Sequence, residues 1–84
     1  MLMHTLKKRL KEIDECYEIE SVDARGNIEY QVYYQSKFGR YRVLSFDKKA
    51  MDLAPTFGFS LPHYKPEVLT DLWQIIKLVS EYLN

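Results

Sequence analysis

The amino-acid sequence predicts an α+β domain: a helix, a three-stranded antiparallel β-meander, a long loop and a C-terminal helix. Three observations predict this class. Apolar residues recur at helical spacing near both ends, apolar and polar residues alternate in the middle, and short turn-forming stretches separate the alternating segments. The length of 84 residues fits one domain spanning residues 1–84. We expect both helices to pack on one face of the sheet and to leave the other face toward solvent.

The first element is an amphipathic helix, predicted over residues 3–15. Its apolar residues recur three or four positions apart and form one stripe, made of Leu2, Leu6, Leu10 and Ile13. Lysine, arginine and glutamate occupy most of the other positions in this segment. The stripe therefore predicts the side of the helix that faces the core.

Three strands are predicted next, over residues 16–22, 28–36 and 40–46. The second strand has the clearest alternation, with one face formed by Ile28, Tyr30, Val32 and Tyr34. The stretch "DARGN" predicts the first turn, because Gly26 and Asn27 tolerate left-handed backbone conformations. The stretch "SKFG" predicts the second turn.

The register of the second hairpin is open at this stage. A two-residue turn at Phe38-Gly39 would place Tyr41 on the core face of the third strand. A three-residue loop with Gly39 in the left-handed conformation, followed by a bulge, would turn Phe46 inward and Tyr41 outward. A slip of one residue exchanges the faces of a strand, and both registers fit the residue pattern. Either of them directs Tyr33 to the less buried face.

The last third of the chain contains a turn, a loop and a helix. Asp47 is a predicted N-cap for a short turn of helix through Leu53, which Pro55 would terminate. Residues 54–65 form an apolar, proline-rich loop, and loops of this length are usually functional or poorly ordered. The final helix is predicted over residues 66–83. Its apolar residues cover more than the roughly 100° stripe that an ordinary surface helix buries.

Composition and charge exclude several classes of protein. Twelve acidic residues balance twelve basic ones, which argues against a protein that mainly coats nucleic acid or an anionic membrane. The single cysteine, Cys16, excludes an internal disulfide and fits a reducing compartment. The N-terminal segment lacks the apolar core of a signal peptide, and charged residues interrupt the apolar C-terminal region. We therefore expect a soluble, cytoplasmic protein without a membrane span.

No catalytic or cofactor-binding pattern stands out in the sequence. His4, His63 and Cys16 have no neighbours at the spacing of zinc ligands. The three glycines are too far apart to form a phosphate-binding loop, and no serine has the context of a nucleophile elbow. We predict a non-enzymatic protein without metal or cofactor, in which Cys16 is a small, buried or half-buried residue.

A partner-binding surface is predicted on the hairpin and the loop, since tyrosine, arginine and other aromatic residues anchor interfaces. The candidate residues are Tyr33, Lys37, Phe38, Arg40, Tyr41, Arg42, Phe57 and Phe59. The hairpin and its flank carry a local charge of +4, whereas residues 12–29 hold seven acids and one arginine, a charge of −6. Such segregation favours oriented docking onto another protein. The competing interpretation is that these residues make good strands with basic residues guarding an edge.

Nucleic acid is the alternative partner. Tyr33 and Tyr41 could stack on bases while arginines contact phosphates, although a net charge of zero disfavours this. The order helix, three strands, helix resembles that of the double-stranded RNA-binding domain, and "DKKAMDL" places two lysines after the third strand. The chain departs from that family at "DARGN", where the family has a Gly-Pro-x-His-type loop, and at Pro55. We do not assign it to the family.

Two further hypotheses concern self-association and biological setting. The apolar circumference of the last helix, which contains Trp73, allows a homodimer in which one side packs on the sheet and the other on a second copy. The competing interpretation is that the first helix fills that side. The small size and the absence of a catalytic pattern are also typical of accessory proteins of phages and mobile elements. Some of those, the anti-CRISPR proteins, inhibit host defence enzymes.

Overall fold

The structure, a computed structural model, describes residues 1–55 and 66–84. Its elements in chain order are α1 (Met3–Ile13), β1 (Tyr17–Ala24), β2 (Asn27–Ser36), β3 (Gly39–Asp47), β4 (Asp52–Pro55) and α2 (Pro66–Leu83). The strands form one antiparallel sheet in the order β1-β2-β3-β4. The predicted α+β class with two helices and an antiparallel sheet is confirmed. The prediction of three strands was wrong, because the described part of the sheet has a fourth.

The fourth strand begins inside the segment, through Leu53, in which we predicted a short turn of helix. Asp47 does act as a cap, since its Oδ1 accepts hydrogen bonds from the N–H groups two and three residues later, at 2.9 and 3.2 Å. The chain then reverses at Met51, which has φ of 55°. Residues Asp52–Pro55 return alongside β3. The capping capacity of Asp47 therefore serves a turn between two strands and not a helix.

The turn between β1 and β2 is a two-residue reversal. Ala24 pairs with Asn27, and both residues between them have positive φ, 55° at Arg25 and 83° at Gly26. Two consecutive left-handed residues match the right-handed twist of paired strands. The sequence prediction placed the left-handed pair one residue too late, at Gly26 and Asn27.

The β2–β3 hairpin adopts neither of the two registers considered from the sequence. Ser36 pairs with Gly39, so the turn residues are Lys37 and Phe38. Farther along the hairpin the register shifts by one residue. The shift leaves Val43 as an extra residue in β3, which is a β-bulge.

The bulge turns an odd-numbered residue before it and an even-numbered residue after it to the same side of the sheet. Before the bulge, Tyr41 lies opposite Tyr34; after it, Phe46 lies opposite Tyr30. Tyr41 packs partly buried against the core, and Phe46 is only 2% exposed. Because opposite residues of neighbouring strands share a face, all four rings lie on one side of the sheet. We call this side, which also carries Tyr17, the aromatic face.

The aromatic face contributes to a single buried cluster in the described residues, together with side chains of both helices. Its buried members are Leu6, Leu10, Tyr17, Val32, Tyr34, Val43, Leu44, Phe46, Val68, Leu72, Ile75, Val79 and Tyr82. Burial of apolar surface on this scale is the main term that stabilises a small domain. Leu6 and Leu10 confirm the predicted core stripe of the first helix, whereas Leu2 precedes the helix and is exposed.

A hydrogen bond from Tyr17 and a ring contact of Phe46 connect the sheet to α2. The Tyr17 ring meets the Tyr34 ring edge to face, with centroids 5.2 Å apart, and the Tyr17 hydroxyl donates a hydrogen bond to Asp71 Oδ2 at 2.9 Å. Farther along α2, the Phe46 ring meets the ring of Tyr82 edge to face at 5.8 Å. Burial, and secondarily the hydrogen bond and negative charge of Asp71, raise the pKa of the Tyr17 phenol well above its ordinary value of 10.0.

The first helix is fixed at its end by a lysine and on its side by an ion pair. The ammonium of Lys11 donates to the backbone carbonyls of Glu15 and Tyr17, at 3.0 and 3.2 Å, and so fastens the end of α1 to the start of β1. Arg9 lies 3.7 Å from Glu81 of α2. Cys16, between α1 and β1, is half-buried, as predicted. Over the described residues, neither helix has the length and apolar character needed to cross a membrane.

Candidate functional site

The side of the sheet opposite the aromatic face carries several of the predicted binding residues. Strand pairing sets Glu18 of β1 beside Tyr33 of β2, and Tyr33 beside Arg42 of β3, in one straight row. Neighbouring rows add further polar residues. We define the polar face by these residues: Glu18, Glu20, Gln31, Tyr33, Gln35, Arg40 and Arg42.

Tyr33 is the centre of a compact side-chain cluster on the polar face. The guanidinium of Arg40 lies over the Tyr33 ring, 3.7 Å from its centroid, and Nη2 of Arg40 reaches Oε1 of Glu20 at 2.5 Å. The Tyr33 hydroxyl donates a hydrogen bond to Oε1 of Gln31, a side chain that is itself buried. Contacts on both the ring and the hydroxyl hold the aromatic side chain in one orientation. A pre-oriented aromatic ring loses little conformational entropy when a partner covers it.

Charge is divided across the polar face. Glu18 and Glu20 lie on β1, and Arg40 and Arg42 lie on β3, with β2 between them. The backbones of β1 and β3 are two strand spacings apart, about 10 Å, and the ion pair of Arg40 with Glu20 spans this distance. The face therefore has an acidic side and a basic side on either side of Tyr33. A surface of this kind orients a charged partner more than it increases affinity.

The turn at the end of the hairpin presents an aromatic side chain to solvent. Phe38 is 75% exposed, and the Lys37 ammonium lies 5.1 Å from the centroid of its ring. Ser36 stabilises the turn, because its hydroxyl accepts a hydrogen bond from the N–H of Phe38 and donates one to the carbonyl of Gly39. An exposed phenylalanine on a hydrogen-bonded turn is available for contact with a partner.

The structure does not bring all the predicted binding residues together. Tyr41 lies on the aromatic face, and its hydroxyl donates to the carbonyl of Phe38 at 3.3 Å. Tyr33 and Tyr41 therefore lie on opposite sides of the sheet and cannot form one stacking platform. Phe57 and Phe59 lie outside the described residues.

Sequence reasoning missed the acidic half of this surface. Nothing in the sequence marked Glu18 and Glu20 as neighbours of the hairpin cluster. The excess of acids in residues 12–29 was visible in the sequence. Pairing of β1 with β2 converts that excess into a row beside Tyr33, and only the register could have shown this.

A second exposed apolar site lies on α2. Trp73 is 77% exposed, and Leu69, one turn earlier on the same side of the helix, is 42% exposed. Residues on the other side of α2, such as Ile75 and Val79, are buried. The broad apolar circumference predicted for this helix is thus only partly covered in the described structure.

Within residues 1–55 and 66–84, no group of three or more histidine, cysteine, aspartate or glutamate side chains is arranged to hold a metal ion. No protein-family model, no curated protein and no solved structure matches this chain.

Proposed function

We propose that this chain is a small, non-enzymatic module that binds another protein through the polar face of its sheet. Both helices, on this proposal, pack on the aromatic face and leave the polar face to the partner. The observation that carries the proposal is the Tyr33 cluster, in which Arg40 covers the ring and links it to Glu20. Tyrosine and arginine at the centre of a patch are the residue types that contribute most to protein interfaces.

The division of charge favours a protein over nucleic acid as the partner. A polyanion that met Arg40 and Arg42 would also meet the carboxylate of Glu20, which is paired with Arg40, and would approach that of Glu18 on the same strand. Affinity for phosphates depends mainly on basic charge, and here the acids oppose it. The opposite orientation of Tyr41 also removes one of the two rings of the stacking hypothesis. A protein surface with its own acidic and basic sides complements this arrangement.

We expect the double substitution Tyr33→Ala and Arg42→Ala to abolish capture of a protein partner and to leave the fold intact. Both side chains lie on the polar face, and Tyr33 is only half-buried, so we expect a loss of about 1 kcal/mol in the free energy of unfolding. The measurement is a tagged pull-down from a lysate of the source cells, with and without nuclease, followed by mass spectrometry. Circular dichroism checks the fold of the variant.

A matched control removes an exposed aromatic residue and a cation from the other candidate surface, with Trp73→Ala and Lys77→Ala on α2. This control variant should still capture the partner in the pull-down. Retained capture by the polar-face variant would eliminate that face as the binding surface. Partners that disappear on nuclease treatment would replace the proposal with nucleic-acid binding.

We also propose that Trp73 and Leu69 mediate self-association through α2. The exposed indole is the large aromatic group expected at the centre of a small interface. Light scattering at high protein concentration should then give the mass of two chains, and Trp73→Ala should give the mass of one. A wild-type mass of one chain would exclude the homodimer, and the polar-face proposal would be unaffected.

A further inference from the structure

The first strand of the sheet has one unpaired edge in the described structure. The strand β1 is eight residues long, contains no proline and pairs with β2 alone. At the opposite edge of the sheet, β4 has only four residues and ends at Pro55. Long regular edges are templates for another strand, whereas short edges and proline prevent such pairing. The edge of β1 is therefore the one suited to strand addition.

Hydrogen bonding to β2 determines which backbone groups of β1 point outward. The N–H of Gln35 donates to the carbonyl of Cys16 at 2.8 Å. In an antiparallel pair, hydrogen-bonded and non-hydrogen-bonded positions alternate. Residues 18, 20 and 22 therefore exchange hydrogen bonds with β2, and the N–H and C=O groups of Ile19 and Ser21 point away from the sheet. The Tyr17 carbonyl, which points the same way, already accepts from Lys11.

A groove runs beside this edge, between α1 and β1. Its volume is about 280 Å³, and it is lined by Lys7, Leu10, Lys11, Tyr17, Glu18, Ile19 and Glu20. Leu10, Tyr17 and Ile19 supply apolar wall on the side of the aromatic face. On the other side of the strand, Glu18 and Glu20 supply carboxylates. A strand that added to this edge would place alternate side chains against these two different surroundings.

We propose that the edge of β1 binds an extended peptide segment of another protein by strand addition. The segment would have basic side chains at alternate positions, opposite Glu18 and Glu20, and apolar side chains at the positions between, directed into the groove. The backbone groups of Ile19 and Ser21 supply the hydrogen bonds, and the two rows of side chains supply the selectivity. The site shares Glu20 with the Tyr33 cluster, whereas its backbone groups, at Ile19 and Ser21, lie outside that cluster.

Charge disfavours a second copy of this chain as the occupant of the edge in the two pairings that oppose its glutamates. Two β1 strands paired antiparallel about a two-fold axis near Ile19 or Glu20 would place glutamates of one copy opposite glutamates of the other. Like charges directly opposite in neighbouring strands destabilise a sheet. Basic side chains of a bound segment, opposite the glutamates, would make this interaction attractive. Lys7 and Lys11 line the groove and would repel basic side chains there. The bound segment therefore needs basic side chains at the positions opposite the glutamates and apolar side chains at the positions between.

The test uses the full chain and a blocked peptide of alternating lysine and valine, eight residues long to match β1. Binding is followed by amide chemical shifts of the labelled protein. We expect shifts centred on Ile19, Ser21 and the facing turns of α1. The same peptide with its central valine nitrogens methylated retains its charge but loses the N–H groups that would face β1. It should bind at least about tenfold more weakly.

A backbone variant gives the matching evidence from the protein side. Ser21→Pro removes an N–H that points away from β2, and an edge strand tolerates proline at such a position. The variant should bind the peptide about tenfold or more weakly than the wild type. Ser21→Ala keeps the N–H and should bind as the wild type does. The Tyr33→Ala and Arg42→Ala variant should bind this peptide normally, which separates the edge site from the polar face.

Any of these results with the peptide would overturn the proposal: no binding, equal binding of the methylated peptide, shifts that map elsewhere, or unchanged affinity of Ser21→Pro. The second would mean that charge attraction alone explains the binding. Shifts along β1 that depend on protein concentration without peptide would assign the edge to a second copy and would equally overturn it.

Discussion

Replacing Phe46 with alanine should remove about 3–5 kcal/mol from the free energy of unfolding. Phe46 is 2% exposed, stacks on Tyr30 with centroids 5.3 Å apart and meets the ring of Tyr82 edge to face. The substitution deletes buried apolar surface and leaves a cavity between β3 and α2. Domains of this length have about 4–13 kcal/mol of total stability, so the loss is a large fraction of the whole.

Chemical denaturation followed by circular dichroism measures this loss, and Phe46→Leu is the matched control. Leucine keeps much of the buried surface, so it should lose less than half as much stability as alanine. A cost below about 1 kcal/mol for Phe46→Ala would mean that the ring is outside the core. It would contradict the register described for β3, because a slip of one residue moves Phe46 to the polar face.

Alkaline pH should destabilise the protein through Tyr17. The pKa of this phenol is raised in the folded state above its ordinary value of 10.0, chiefly by burial. Above pH 10 the unfolded chain therefore loses this proton while the folded chain retains it. The unfolded state is favoured by about 1.4 kcal/mol for each pH unit above that point. Below pH 10 the phenol is protonated in both states, and its contribution to stability is fully present.

The comparison with Tyr17→Phe isolates this contribution. Phenylalanine keeps the ring beside Tyr34 and loses only the hydroxyl and its hydrogen bond to Asp71, at a cost of about 1 kcal/mol at neutral pH. The stability difference between the wild type and this variant should shrink and then reverse between pH 10 and about pH 12. Parallel curves over that interval would show that the hydroxyl ionises equally easily in both states.

Much of the fold follows from local patterns in the sequence. The helix at the start of the chain, the strand containing Tyr30 to Tyr34 and the final helix all have strong periodicity, and each lies within a few residues of its predicted bounds. The missed strand, Asp52–Pro55, is too short to show alternation. It forms because Met51 reverses the chain and because β3 has an edge with which it can pair. Both conditions depend on the tertiary structure and not on the sequence of the strand.

The composition of the polar face was harder to predict than the fold. A single inserted residue, Val43, determines which side of the sheet Tyr41 and Phe46 occupy. Both registers considered from the sequence assumed a turn that used Gly39, and each assigned one of these two rings to the wrong side. The preference of this hairpin for a bulge depends on how well both rings pack against the core, and that packing is not encoded in any short window of residues.

The position of α2 after the sheet in the chain has a consequence for synthesis. The sheet through Asp47 is complete about 36 residues before the end of the helix that covers its aromatic rings. At the usual elongation rate of about 5–20 residues per second, this interval lasts on the order of 2 to 7 s. During that time Tyr17, Tyr34 and Phe46 have no α2 to pack against. We therefore expect a nascent chain of this protein to bind chaperones that recognise exposed aromatic surface, until the last helix docks.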